Sequence, residues 1–207
     1  MAIVGVVRVR CPACGLEQDS QLVQSINTRT EPAAKQRLLD GELNVLTCAC
    51  GRRTQLAATV LFHDPDADYW CQVCPGGETA MAEGEAAFRV AGAGGTKRLV
   101  PSLNALVEKV KLVDAGLDDW AIEMAKVLLL ASRADRDLDL VLLFDSRDGD
   151  TLRWVLFEPD GPRAMASPFG VYTKLAGRPQ GAPGALELRV DRAWAIDAVR
   201  TMIAGAN

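Results

Sequence analysis

The chain of 207 residues has a single histidine, His63, so any acid–base or nucleophilic scheme built on imidazole has to run through that one residue. It has no low-complexity tract and no repeat of fixed period. No segment approaches the roughly 18 uninterrupted apolar residues of a membrane span. Leu138 to Phe144 is apolar but short, and reads as a buried strand. No secretory leader is expected either: the apolar run ending at Val7 precedes Arg8 and Arg10, the reverse of the order a signal requires. A cytoplasmic protein with reduced thiols, and no membrane partner, is the expectation. There is also no basic stripe. The net charge is −4 and the isoelectric point about 5.1. Residues 1–62 carry seven Lys/Arg against five Asp/Glu, and residues 101–160 carry seven against thirteen. That balance argues against tight binding to phosphate backbones. Gly92-Ala-Gly-Gly-Thr-Lys97 lacks the Gly-Lys-Ser/Thr order of a phosphate loop, and Pro101 interrupts any helix after it. The acidic Asp145–Asp150 segment lacks calcium-loop spacing and reads as a solvated turn.

What is present suits a globular protein: the composition is 49% hydrophobic, on a chain long enough to bury a core without covalent staples. Val4–Arg10 alternates and is β-branched, a strand signal. Pro32 to Leu39 reads as a helix stopped by Asp40-Gly41. Short strands follow at Leu43–Thr47, Thr54–Phe62 and Tyr69–Val73, with a turn at His63-Asp64-Pro65-Asp66. Residues 75–97 are rich in Gly and Ala and read as a loop with one short strand near Phe88–Val90. Ser102 caps a helix with apolar positions Leu103, Leu106, Val107, Val110 and Val113, which Gly116 ends. A second helix starting at Asp118 or Asp119 completes an αα-hairpin. Strands at Leu138–Phe144, Leu152–Phe157 and Leu186–Val190 then lead to a helix from Asp191 or Arg192 to about Ile203. The class is α+β: an N-terminal zinc-ribbon-like β region, the αα-hairpin, and a small antiparallel sheet with a C-terminal helix. The expected domains are residues 1–133 and 134–207.

Six cysteines fall in three close pairs. Cys11-Pro-Ala-Cys14-Gly15 has the form of a knuckle that turns two thiolates toward one ion, and Cys48-Ala-Cys50-Gly51 repeats its end. Two such knuckles supply the four ligands of tetrahedral zinc, so Cys11, Cys14, Cys48 and Cys50 are the expected ligands of a structural Zn²⁺. The second knuckle is one residue short. Cys71 and Cys74 sit in a strand-like run, where residues three apart face opposite ways. Pro75-Gly76-Gly77 is read as forbidding the helix that a redox pair would open, so both are expected to be buried structural thiols.

These residues resemble a known family, the CpXC domain of bacteria and archaea. The resemblance rests on Cys11-Pro-Ala-Cys14-Gly15, on Asp40-Gly-Glu-Leu-Asn44 leading to Thr47-Cys48 and Cys50-Gly51, and on Phe62-His-Asp64. Downstream it includes Leu106-Val-Glu-Lys109 and Ala115-Gly-Leu-Asp-Asp119. It covers roughly residues 8 to 130. It implies a zinc-ribbon-containing module and supplies no activity.

The remaining candidates have bland alternatives. His63 lies beside Asp64 and could approach Cys71, but a turn residue bonding a backbone group is the simpler reading. Asp114, Asp118, Asp119 and Glu123 form an acidic patch that suits the N-terminal dipole of the second hairpin helix. The tryptophans, Trp70, Trp120, Trp154 and Trp194, are core residues or interface anchors. The functional expectation is a non-enzymatic, zinc-stabilised adaptor that binds another protein. The alternative is a nucleic-acid-binding zinc ribbon using Arg8, Arg10, Arg52 and Arg53.

Overall fold

The β-branched run forms strand β1 (Val4–Arg10) and pairs antiparallel with β2 (Glu17–Val23), Val4 opposite Val23 and Arg10 opposite Glu17. In the computed structural model, which describes residues 3–91, 94–178, 181–184 and 186–205, the chain divides into two compact units, residues 1–107 and 108–207. Among the described residues no helix is long and apolar enough to cross a membrane.

In the first unit, β3 (Ser25–Asn27) and helix α1 (Pro32–Leu39) separate the β1–β2 hairpin from a second one, β4 (Val45–Thr47) with β5 (Arg53–Gln55). Pro32 opens α1 where its missing N–H costs nothing. Leu22, Leu46 and Leu56 form a small apolar cluster with Val7, Val9 and Ala58 packed against it, so the two hairpins share one seam. Next come β6 (Val60–Asp64), β7 (Tyr69–Val73), helix α2 (Gly77–Val90) and β8 (Thr96–Val100). They build a four-stranded sheet in the order β3-β6-β7-β8, in which β6–β7 is antiparallel and the two outer pairings are parallel. One face of it buries Val60, Phe62, Tyr69, Cys71 and Val73. Helix α2 lies close against the other face at Gly84, where a Cβ would stand 2.9 Å from Cys74 Sγ and 3.0 Å from Leu99 Cδ2.

Helix α3 (Leu103–Asp114) spans the division between the units, and Ser102 Oγ accepts from the Ala105 N–H at its start. In the second unit, α4 (Asp119–Ala131) follows Gly116, whose φ of +63° is the left-handed value that the end of α3 requires. A three-stranded meander follows: β9 (Val141–Asp148), β10 (Thr151–Glu158) and β11 (Gly161–Pro168). Helices α5 (Phe169–Ala176) and α6 (Arg192–Ala204) complete the unit. The core centres on Ile122, Met124, Leu152, Trp154 and Leu156. The Trp154 indole N–H donates to Ser167 Oγ at 2.9 Å, and the ring meets Phe144 edge-on. Asp191 caps α6 by accepting from the Trp194 N–H.

The α+β class stands, with four departures in detail. The segment read as a loop holds α2 and β8 instead, and no strand forms at Phe88–Val90. Gly92 and Ala93 of the glycine-rich stretch lie outside the described residues. The strand expected over Thr54–Phe62 is broken into β5 and β6, and His63 lies inside β6 rather than in the turn. The third strand of the meander is β11, whose two prolines, Pro162 and Pro168, sit on an edge strand where a missing donor is tolerated. Leu186–Val190 joins no sheet among the described residues. Its alternation is nonetheless real: Leu186 is exposed while Leu188 and Val190 are buried.

Candidate metal centre

The two cysteine knuckles close in the same manner. In the first, the Gly15 N–H donates to the Cys11 carbonyl at 2.9 Å and the Cys11 N–H to the Leu16 carbonyl at 2.8 Å. In the second, the Gly51 N–H donates to the Cys48 carbonyl and the Cys48 N–H to the Arg52 carbonyl, both at 2.9 Å. Each glycine holds a positive φ, +76° and +84°, which a side chain would strain. The missing residue of the second knuckle therefore shortens the loop by one position and leaves its closure unchanged.

Asn44 fixes one hairpin to the other. Its amide accepts from the Val23 N–H at 2.8 Å and donates to the Val23 carbonyl at 3.0 Å, while its own φ is +55° and the side chain is buried. Asparagine tolerates the left-handed region and carries both a donor and an acceptor, so this position uses both properties at once. Gln18 Nε2 adds a bond to the Thr47 carbonyl at 3.3 Å.

As a result, Cys11, Cys14, Cys48 and Cys50 come together, with all four Sγ atoms within 4.8 Å of one another. Cys11 Sγ lies 3.8 Å from Cys50 Sγ, and Cys14 Sγ 3.5 Å from Cys48 Sγ. A tetrahedral ion bonded to four sulfurs at roughly 2.3 Å spaces them about 3.8 Å apart, so this donor set fits one ion. One thiol of each pair is buried and the other exposed. The backbone N–H groups of Cys14 and then Ala13 pull the Cys11 thiol down to about 6 against the effect of burial. At Cys48 the Cys50 N–H also pulls downward, but burial and the neighbouring thiols Cys14, Cys50 and Cys11 outweigh it and push that thiol up to about 12. The opposed directions belong to one cluster: the first proton leaves easily, and the later ones are held by the negative charge it leaves behind. A bound dication removes that penalty.

The other cysteines diverge as expected. Cys71 is opposite Phe62 on the buried face of the sheet, whereas Cys74 Sγ accepts from Gln72 Nε2 at 3.5 Å on the other side. Both are buried. Helix α2 does open just after Cys74, contrary to the expectation that Pro75-Gly76-Gly77 would prevent it. His63 pairs with Trp70 rather than with Cys71. The two rings stack with centroids 3.4 Å apart and planes 10° from parallel, and Asn27 Nδ2 lies 3.4 Å from His63 Nδ1. Burial, the largest influence, lowers the imidazole pKa, although Asp64 and Asp68 pull it upward.

Part of the acidic patch expected to serve the helix dipole belongs instead to a buried charge network. Lys109 Nζ donates to Asp119 at 2.9 Å, to Glu123 at 3.4 Å and to the Val190 carbonyl at 3.0 Å. Lys126 Nζ donates to Glu108 at 3.0 Å and to Glu123 at 2.9 Å, and Glu108 also accepts from the Phe144 N–H. All five side chains are buried. Asp118 sits at the N-cap of α4, where it accepts from the Tyr172 hydroxyl at 3.3 Å. Three carboxylates face two ammonium groups. Burial works against both lysines, but the surrounding acids overcome it and raise them. Burial, the largest influence, raises Glu108 despite Lys126, and Glu123 adds to that rise. The signal available in sequence was spacing: Asp119, Glu123 and Lys126 share one face of a helix that is otherwise apolar.

Fold and site together define a mixed α+β protein whose N-terminal unit holds a cluster of four cysteine sulfurs that could take one metal ion. The family model described as "CpXC protein" matches residues 9–126, more than half of the chain, and the chain belongs to that family. The match contains both knuckles, Asn44 and all five members of the buried charge network. No curated protein and no solved structure gives a significant match.

Proposed function

We propose that this chain is a zinc-stabilised, non-enzymatic module that binds another protein. The observation that carries the reading is the convergence of four sulfurs, two from each of two hairpins, within the span of one tetrahedral ion. Four protein ligands leave no open position for water or substrate, which marks a structural rather than a catalytic centre. Cys11, Cys14, Cys48 and Cys50 would hold the ion, whose contribution when bound is to cross-link the two hairpins and withdraw charge from their thiolates.

The strand that leads to the first knuckle exposes Val4 and Val6 on one face, and Leu16 is exposed just after the knuckle. Exposed apolar side chains suit a protein partner better than a polyanion. Three of the four arginines named for nucleic-acid binding have partners: Arg8 pairs with Glu17, Arg53 with Glu42, and Arg10 Nε donates to the Gly15 carbonyl. That weighs against the nucleic-acid alternative. The test is affinity capture with wild-type chain and a Val6→Asp variant, together with retention on nucleic acid at low salt. The reading expects a protein retained by the wild type and lost with Val6→Asp. Salt-sensitive retention of DNA or RNA that weakens with Arg52→Ala and Arg53→Ala would replace it with the alternative.

A further inference from the structure

Between the C-terminal half of α2 and the sheet lies a cleft of about 420 Å³, separate from the cysteine cluster and within the size range of small-molecule sites. Its walls are mainly apolar, formed by Leu61, Trp70, Ala87 and Phe88, with Asp68 and Lys97 among the lining residues. Trp70 enters the cleft held in place, because His63 stacks on it at 3.4 Å. An indole fixed in this way offers a rigid stacking surface at little cost in side-chain entropy.

Asp68, one of the lining residues, sits in a tightly fixed turn. Asp68 has a φ of +47°, which few non-glycine residues adopt. Its Oδ1 stands 2.6 Å from where a Cβ at position 95 would be, and its own carbonyl oxygen is closer still, so only glycine fits there. The Thr96 N–H holds that carbonyl at 2.8 Å. Left-handed backbone at one residue and an obligatory glycine at its neighbour both serve to hold one carboxylate at the edge of an aromatic cleft. The last carbonyls of α2 add partial negative charge at the same end. Lys97, opposite Trp70 in the β7–β8 register, brings positive charge to the adjoining wall.

We propose that this cleft binds a small zwitterion bearing a flat ring, an aromatic α-amino acid, with the ring against Trp70 and Phe88, the ammonium group at Asp68 and the carboxylate at Lys97. Apolar walls alone would accept any ring compound. The acid and the base together select one that carries both charges.

The experiment titrates the full chain with L-phenylalanine, phenethylamine, 3-phenylpropionate and L-alanine, by calorimetry and ligand-observed NMR. Each of the last three lacks one recognised feature. Phenylalanine is expected to bind tightest, and loss of either charge or of the ring to weaken binding about tenfold. Asp68→Asn keeps a residue that tolerates positive φ, so the fold is retained while the carboxylate is lost. This variant is expected to bind phenylalanine and 3-phenylpropionate alike, and Lys97→Met to bind phenylalanine and phenethylamine alike. Absence of phenylalanine binding at millimolar concentration overturns the proposal. So does equal binding of all ring compounds by the wild type, or affinity that neither variant changes.

Discussion

Replacing Asn44 with alanine removes two buried hydrogen bonds at a stroke and leaves the Val23 N–H and carbonyl without partners. Each buried backbone group stranded in this way costs about 1–3 kcal/mol. Alanine must also hold the φ of +55°, which adds about 1 kcal/mol. The expected loss is therefore about 3–7 kcal/mol, a large part of the stability of a small unit. Because Asn44 joins the hairpin of Cys11 and Cys14 to the one of Cys48 and Cys50, metal retention should fall with it. Urea unfolding followed by circular dichroism measures the first effect, and competition with a chromogenic chelator the second. Asn44→Gly separates the causes, since glycine relieves the backbone strain without restoring either bond. If Asn44→Ala lost less than about 1 kcal/mol, the amide would not be what couples the hairpins, and the reasoning would fail.

Lys109→Met should cost about 3–5 kcal/mol in urea unfolding, because it leaves Asp119 and Glu123 buried beside each other with one counter-ion fewer. Its stability should also fall as pH rises above the usual carboxylate range near 4.3, since Glu108, already raised by burial, loses the downward pull of Lys109 and keeps a proton that the unfolded chain releases. A pH-independent loss would contradict this. His63 works in the opposite direction: its lowered pKa means that the unfolded chain binds the proton first, so stability is complete above about 6.5 and declines as pH falls through the folded value. His63→Phe should flatten that decline in a denaturation series from pH 7.5 to 5. At Gly84, alanine gains about 1 kcal/mol of helix propensity but drives a Cβ against Cys74 and Leu99. A net loss of about 1–2 kcal/mol is expected, and a rise in melting temperature would show that α2 does not lie so close.

The cysteine pairs were legible from a spacing that metal coordination would require, and the structure adds that the four sulfurs converge and how a one-residue-short knuckle closes. Helices α1, α3, α4 and α6 were legible from Pro32, Ser102, Gly116, Asp191 and apolar periodicity. Helix α2 was not, since Gly77, Gly84 and its alanines suggest a loop. Gly84 is small because the helix approaches the sheet there, a tertiary reason that composition cannot express. Strand β11 was hidden by Pro162 and Pro168, which deter pairing except at an edge. Leu186–Val190 shows the converse, an alternating pattern created by burial alone without any ladder. The charges at Glu108, Lys109, Asp119, Glu123 and Lys126 look like a helix surface until their partners are known. Their compensation comes from side chains as far as 18 residues apart and from the backbone at Phe144 and Val190.

X-ray absorption on chain purified without added metal tests the central claim most directly. The expected result is one zinc per chain in a single shell of four sulfurs at roughly 2.3 Å. Material without stoichiometric metal, or with nitrogen or oxygen in the first shell, would contradict the assignment of Cys11, Cys14, Cys48 and Cys50 as its ligands.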